Sequence, residues 1–304
     1  MGEKMVYTVT FNPAVDYTVT LERLCAGGVN RCATEDMTFG GKGINVSAVL
    51  RELGTPTIAL GFCAGFTGKA IRDGLEASGV HTDFVELAAG NSRINVKIKT
   101  DTETEINGRG PDISTSELQR FFEKLSQLQN GDFIVLAGSV PSSIPRDIYR
   151  QILERLSEKN VLCAVDAEGE LLTDTLAFAP FVIKPNKAEL EQIFGKSLDT
   201  REQIAECAQK LQSKGARNVL VSMAQDGSLL LDENGKVHTI GVCKGEVVSS
   251  VGAGDSMLAG FISGYLQTHD HDYALRLATA CGGAAAFSCG TPKKELIDKL
   301  FSQL

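Results

Sequence analysis

Short β-rich runs recur along this chain with helical stretches between them, and that alternation limits the fold more than any other feature. The runs span 6–11, 57–62, 133–137, 162–165, 181–183 and 219–222; the helical stretches span 44–53, 69–78, 114–128, 145–158 and 204–214. Buried-type strands separated by helices of a few turns indicate βαβ units, hence a three-layer α/β/α fold on a mainly parallel sheet covered on both faces. Ligands of such sheets sit at the carboxyl ends of the strands. Two regions break the pattern: 17–21 with 32–39, and 93–100 with 103–107, look like short strands without helices between them. They predict a small antiparallel sheet outside the main one, which is unstable if exposed on both faces and so must cover a site or pair with a second copy. The expectation is one domain over 1–304, a lid from about 13–39 and 92–109, and a homodimer through that lid.

The length of 304 residues, 43% of them hydrophobic, is ample for a large core. A net charge of -8 and a pI near 5.2 argue against a nucleic-acid partner, but a small anionic substrate needs only a few local cations. The eight cysteines include no C-x-x-C pair and read as free thiols. With no signal peptide and no apolar span of membrane length, the expected place is the cytoplasm, with no membrane partner. The start carries Gly2 but lacks the Ser or Thr that myristoylation needs, so no lipid anchor is expected. His269-Asp270-His271 reads as a polar turn rather than a metal pair.

Two glycine-rich turns feed helices. In Val251-Gly252-Ala253-Gly254-Asp255-Ser256 the glycines permit a tight turn, and the free amides of a helix's first turn favour an anion. Asp255 at that junction is either an N-cap or a catalytic carboxylate. In Gly40-Gly41-Lys42-Gly43-Ile44-Asn45, Gly40 and Gly41 let backbone amides approach substrate hydroxyls, and Asn45 offers its amide one turn later. Residues 61–68 with Lys69 fail as a Walker A loop, because Cys63 and Ala70 stand where glycine and Ser or Thr are required, and they give no dinucleotide fingerprint either.

The two turns, some 210 residues apart, together resemble the signature segments of the ribokinase-like carbohydrate kinases of the phosphofructokinase B type. Asn12-Pro13-Ala14-Val15-Asp16, Gly138-Ser139-Val140-Pro141, Lys184-Pro185-Asn186-Lys187-Ala188-Glu189 and 221–227 fall in the family's order. The resemblance implies ATP-dependent phosphorylation of a sugar hydroxyl, with Asp255 as base and the Gly252, Ala253 and Gly254 amides as an anion hole. It also implies that Asn186 and Glu189 organise Mg2+ through its waters; Asn186 alone reads equally as a helix cap. Lys184, Asn186, Ser222, Gly227, Ser249, Val251, Gly254, Gly283 and Ser288 are the implied nucleotide contacts, and some relatives use a monovalent cation. Ala224 stands where relatives often carry glycine.

For the acceptor, the resemblance gives Asp16 two sugar hydroxyls and brings Gly40, Gly41, Lys42, Asn45 and Ser139 to the same site. In Arg93-Ile94-Asn95-Val96-Lys97 the period of two puts Arg93, Asn95 and Lys97 on one strand face, where with Lys42 and Arg31 they suit a phosphate. Within the family these segments look most like members that convert fructose 1-phosphate to fructose 1,6-bisphosphate, with tagatose 6-phosphate kinases next. A sensor that kept the fold without turnover is the reading from another class, and the intact Asp255, Asn186 and Glu189 speak against it.

Overall fold

The computed structural model describes residues 4–304, so the lipid-anchor expectation at the chain's start falls partly outside the described residues. The strands are β1 (Val6–Thr10), β2 (Ala14–Thr20), β3 (Thr34–Gly40), β4 (Thr57–Cys63), β5 (His81–Glu86), β6 (Arg93–Lys99), β7 (Glu103–Asn107), β8 (Phe133–Ala137), β9 (Leu162–Asp166), β10 (Val182–Ile183), β11 (Asn218–Ser222), β12 (Ser228–Leu231) and β13 (Val237–Ile240). The helices are α1 (Lys42–Glu52), α2 (Gly65–Ala77), α3 (Thr115–Leu125), α4 (Ile148–Leu156), α5 (Gly169–Thr173), α6 (Lys187–Phe194), α7 (Arg201–Ser213), α8 (Ala253–Thr268), α9 (His271–Ala286) and α10 (Lys294–Phe301).

The large sheet has the order β13-β12-β11-β10-β9-β8-β1-β4-β5, parallel from β11 to β5, with β12 and β13 added as an antiparallel hairpin. Strand alternation separates two cores. Phe133, Val135 and Ala137 of β8 face α1, α8, α9 and α10, while Ile134 and Leu136 face α3, α4 and α7. The chain leaves β1 toward β4 on one side and later places β8 on the other, so the strand order reverses between β1 and β8. A crevice opens at such a reversal, beyond the carboxyl ends of the strands. The second sheet, β3-β2-β6-β7, stands outside the layers. Its β2–β6 pair is parallel and the other two pairs are antiparallel, where a purely antiparallel sheet was expected. Connecting β2 to β6 passes through β3, α1, β4, α2 and β5, which is the long crossover that parallel pairing needs.

β5, β12 and β13 were not evident from the apolar runs. β5 is an edge strand carrying His81, Asp83 and Glu86, so its composition is polar. Asn234-Gly235 marks the β12–β13 turn and is the signal that would have found that hairpin. His269 and His271 lie at the α8–α9 turn, where Asp270 caps α9 by accepting from the amides of Asp272 and Tyr273. Among the described residues no His, Cys, Asp and Glu cluster is fit to hold a metal ion directly.

Helix α8 is buried continuously from Asp255 to Gly264, as an apolar-all-round helix must be. It lies against α9 with no room for side chains. A Cβ on Gly260 would come within 2.7 Å of Leu277 O and 2.9 Å of Ala278 Cα, and one on Gly264 within 2.8 Å of Ala274 Cα. Gly260→Val should therefore lower the unfolding free energy by about 1–3 kcal/mol through overpacking. Denaturant unfolding checks this; an unchanged midpoint would contradict so close an approach.

Candidate active site

The crevice at the β1–β8 reversal is a cleft of about 850 Å3. Thr10, Phe11 and Asn12 after β1, Gly138, Ser139 and Val140 after β8, and Ala167 and Glu168 after β9 form its floor. Arg93, Glu105 and Asn107 of the small sheet form one wall. The register explains that wall: Thr38, Asp16, Asn95 and Asn107 lie side by side on one face of β3, β2, β6 and β7. The next row on this face, Asp36, Thr18, Lys97 and Glu105, is polar too, and Lys97 Nζ lies 4.0 Å from Glu105.

The glycines before α1 make room inside the protein. A Cβ on Gly40 would lie 2.6 Å from Asp16 Oδ2, and one on Gly43 2.5 Å from Val9 O, while Gly41 faces Thr10 Cγ2 at a φ of 139°. They seat α1 directly on the end of β1, where Ile44 N donates to Thr10 Oγ1 over 3.1 Å. The expected role, amides presented to substrate hydroxyls, is thus accompanied by a packing role that the sequence did not reveal. From α1, Asn45 Nδ2 donates to Asp255 Oδ2 over 2.8 Å. One N–H of the Asn45 amide therefore holds the Asp255 carboxylate, and its second N–H has no partner among the described residues. Asn95 is similarly committed: its Nδ2 donates to Asp16 Oδ1 over 2.8 Å and its Oδ1 accepts from Gly108 N over 3.2 Å. It thereby orients Asp16, and its second N–H has no partner among the described residues.

Asp255 sits in the first turn of α8 and is 6% exposed. No side-chain capping bond forms at that helix start, so the capping reading of Asp255 is not the one realised. Gly252 holds the left-handed turn at φ 77°. Ala253 N donates to Ser250 O at 3.3 Å, while the Gly252, Gly254 and Asp255 amides have no acceptor among the described residues and are the free donors of the turn. A Cβ on Gly254 would lie 3.1 Å from Lys184 Nζ, which places that ammonium against the helix start.

Asp166, at the end of β9, is a functional residue the sequence reading missed. Its Oδ1 lies 3.5 Å from Lys42 Nζ and 3.4 Å from Lys184 Nζ, and the residue is 1% exposed. Its Oδ2 is buried without a hydrogen-bond partner among the described residues. Burial pushes the Asp255 carboxyl up to about 6, the Asp166 charge adds to this, and Asn45, Lys184 and Lys42 pull it back. Burial works against the Lys42 ammonium, but the carboxylates of Asp166, Asp255, Glu189 and Glu168 outweigh it and raise its pKa. Glu189 is raised by burial, with a contribution from Asp166. Its carboxylate accepts from Asn186 N and Nδ2 at 2.9 and 2.8 Å, while Asn186 Oδ1 accepts from Glu189 N at 2.9 Å. The cap at Asn186 is therefore real.

The other expected residues divide between the cleft and a second region. Ser139, Gly41, Lys42 and Arg93 line the cleft, and Arg93 Nε is buried without a partner among the described residues. Burial lowers the Arg93 pKa, partly offset by Asp16. Arg31 lies exposed in the loop between β2 and β3 and does not line this cleft. Ser222, Gly227, Ser249, Val251, Gly283 and Ser288 gather instead around β11, the 241–252 loop and the end of α9. There Val251 N donates to Ser249 Oγ over 3.2 Å, Ser249 N to Ala286 O over 3.2 Å, and Gly283 abuts Cys243. Ala224 adopts φ 47°, a glycine-type conformation that costs an L residue about 1–2 kcal/mol.

The pfkB carbohydrate kinase family model matches residues 9–295. The chain belongs to the pfkB family of carbohydrate kinases. A 1-phosphofructokinase of Bacillus subtilis is 43% identical over 99% of this chain and 98% of that protein. A D-tagatose-1-phosphate kinase of Bacillus licheniformis is 38% identical over 99% and 98%. A solved structure of a candidate phosphofructokinase from Staphylococcus aureus superposes with a TM-score of 0.88 at 39% identity, covering 98% of this chain and 97% of that one. The kinase is thus ribokinase-like, as its segments implied. No described helix is long and apolar enough to cross a membrane.

A carboxyl with a raised folded-state pKa binds more protons folded than unfolded, so it lowers stability as the pH rises from the unfolded value through the folded one. For Asp255 that window runs from about 4, the unfolded carboxylate value, to about 6. Asp255→Asn should therefore melt higher than the wild type at pH 7, and the difference should shrink toward zero by pH 4. Parallel melting curves across that range would contradict the burial of a charged carboxylate.

Proposed function

We propose that this kinase transfers the γ-phosphoryl group of ATP to the C6 hydroxyl of fructose 1-phosphate, giving fructose 1,6-bisphosphate. The carrying observation is Asp255, buried at the start of α8, held by Asn45 and flanked by the Lys184 and Lys42 ammoniums. The acceptor lies in the cleft with two hydroxyls on Asp16, which Asn95 fixes, and its phosphate at Arg93, whose unpartnered Nε suits an anion. Asp255 takes the proton of the attacking hydroxyl. The Gly254 and Asp255 amides, with Lys184 and Lys42, meet the charge on the transferred group. The raised pKa of Asp255 brings its basicity closer to a working pH than an ordinary carboxylate has. Lys184, Asn186, Ser222, Gly227, Ser249, Val251, Gly283 and Ser288 are the nucleotide side.

Asp166 Oδ2, buried and unpartnered, and the Glu189 carboxylate fit the water shell of Mg2+. Bound there, the ion neutralises charge on the nucleotide phosphates. A monovalent cation beside the α8 turn belongs to the same proposal. Tagatose 1-phosphate is the alternative acceptor, favoured by the 38% identical D-tagatose-1-phosphate kinase. It differs from tagatose 6-phosphate, the acceptor weighed from sequence, in carrying its phosphate at the same carbon as fructose 1-phosphate. The eight unpaired cysteines suit a reducing, cytoplasmic setting.

An ADP-release assay with Mg2+ and K+ across fructose 1-phosphate, tagatose 1-phosphate, tagatose 6-phosphate, fructose 6-phosphate, fructose and ribose tests the reading. Fructose 1-phosphate should give the highest kcat/KM; turnover restricted to unphosphorylated sugars would overturn it. Asp255→Asn should retain nucleotide binding and lose about two to four orders of magnitude in kcat. In the wild type, kcat/KM should fall as the pH drops below about 6.

The small sheet supports the proposed homodimer. On the face opposite the cleft, Met37, Tyr17, Val96 and Ile106 form one row, and Met37 and Ile106 are 54% and 58% exposed. Ile106→Asp should convert a dimer to a monomer in sedimentation; a monomeric wild type would rule the pairing out.

A further inference from the structure

We propose that Arg146 is a specificity-determining residue, whose guanidinium shares with Arg93 the phosphate that the acceptor already carries. This rests on the sugar-phosphate reading above and names a contact that the sequence did not single out.

Three cations line the cleft: Lys42, Arg93 and Arg146. Lys42 is committed to the transfer centre, with Asp166 at 3.5 Å and the Asp255, Glu189 and Glu168 charges around it. Two arginines remain, and they stand on different walls. Arg93 projects from β6 in the small sheet, with Nε buried and unpartnered. Arg146 comes from the loop between β8 and α4, in the body of the protein. It is exposed and pairs with no carboxylate among the described residues. The nearest acid in sequence, Asp147, is taken by Arg150 and by Gln151 Nε2 at 2.9 Å. Arg146 thus keeps its planar fork free for a bidentate contact with phosphate oxygens.

The charge of the cleft makes this consequential. Five carboxylates, Glu105, Asp147, Glu168, Glu170 and Asp174, line it against those three cations. A phosphate dianion entering so acidic a cleft is repelled unless specific cations meet it directly. Without Arg146, Arg93 alone would oppose the acceptor's phosphate, because Lys42 is engaged elsewhere. Binding the phosphate between the small sheet and the α4 wall also sets the sugar's direction, leaving its far hydroxyl for Asp255.

Steady-state kinetics of Arg146→Met and Arg146→Lys on fructose 1-phosphate, tagatose 1-phosphate and unphosphorylated fructose test the inference. Arg146→Met should raise KM for the phosphorylated sugars about tenfold, the loss expected of one charge-assisted contact. kcat and KM for ATP should stay within about twofold, and Arg146→Lys should recover part of the loss. Because the side chain is exposed, the melting temperature should not move. An unchanged KM for fructose 1-phosphate in Arg146→Met, or an equal loss on fructose, would overturn the assignment while leaving the substrate reading intact. A wild-type enzyme that uses fructose and ignores fructose 1-phosphate would overturn both.

Discussion

The site depends on one buried oxygen, Asp166 Oδ1, lying between the ammoniums of Lys42 and Lys184 at 3.5 and 3.4 Å. Lys42 begins α1 and Lys184 follows β10, so this contact ties the acceptor side of the protein to the nucleotide side. Burying charges costs several kcal/mol per ion, and their mutual attraction returns this only when geometry is good. Here the balance is unfinished: Asp166 Oδ2 has no partner among the described residues, and Asp255 is pushed up to about 6. Such incomplete pairing is costly for a fold and, on the proposed reading, useful for a kinase, because Mg2+ and a triphosphate would supply the missing positive charge and anion.

The rest of the architecture can carry that cost because the two cores are separate from it. Strands β8, β9 and β11 send alternate side chains into one helical layer or the other, and only their carboxyl ends carry Ser139, Asp166 and Ser222. Glycines at 41 and 43 seat the start of α1 on the end of β1, Gly254 makes room for Lys184 at the start of α8, and across this junction Asn45 of α1 reaches Asp255 of α8. The Asp255 carboxylate is therefore held by its neighbours on other elements, not by its own helix.

This explains what the sequence could reveal. Glycine turns and a period of two are local patterns, so both helix junctions and the shared face of Arg93 and Asn95 were legible. Asp166 was not, since an aspartate ending an apolar strand carries no motif and its partners lie 124 and 18 residues away in sequence. Arg146 was hidden in the same way, in a loop with no recognisable spacing. The carboxylate partners of Asn45 and Asn95 were hidden for a common reason: residue type gives an amide's capacity, but only packing shows which carboxylate of the same protein it meets.

The small sheet shows how one register can serve two purposes. Thr38, Asp16, Asn95 and Asn107 lie on the face whose Arg93, Glu105 and Asn107 line the cleft, while Met37, Tyr17, Val96 and Ile106 in the adjoining row face away. A slip of one residue would exchange the rows, exposing the acceptor carboxylate and turning apolar side chains into the cleft. Register is strongly specified only where a face is buried, and at its base this sheet packs Val15 and Phe39 against the core that holds Ile71 and Leu75 of α2. That anchor fixes the pairing close to the main body. Farther out, Met37 and Ile106 remain exposed, and covering them with a second copy would extend the same constraint to the tip. On the proposed pairing, association and acceptor binding would be coupled through a shared sheet, because whatever fixes the outer row also fixes Asp16 and Arg93 on the other side.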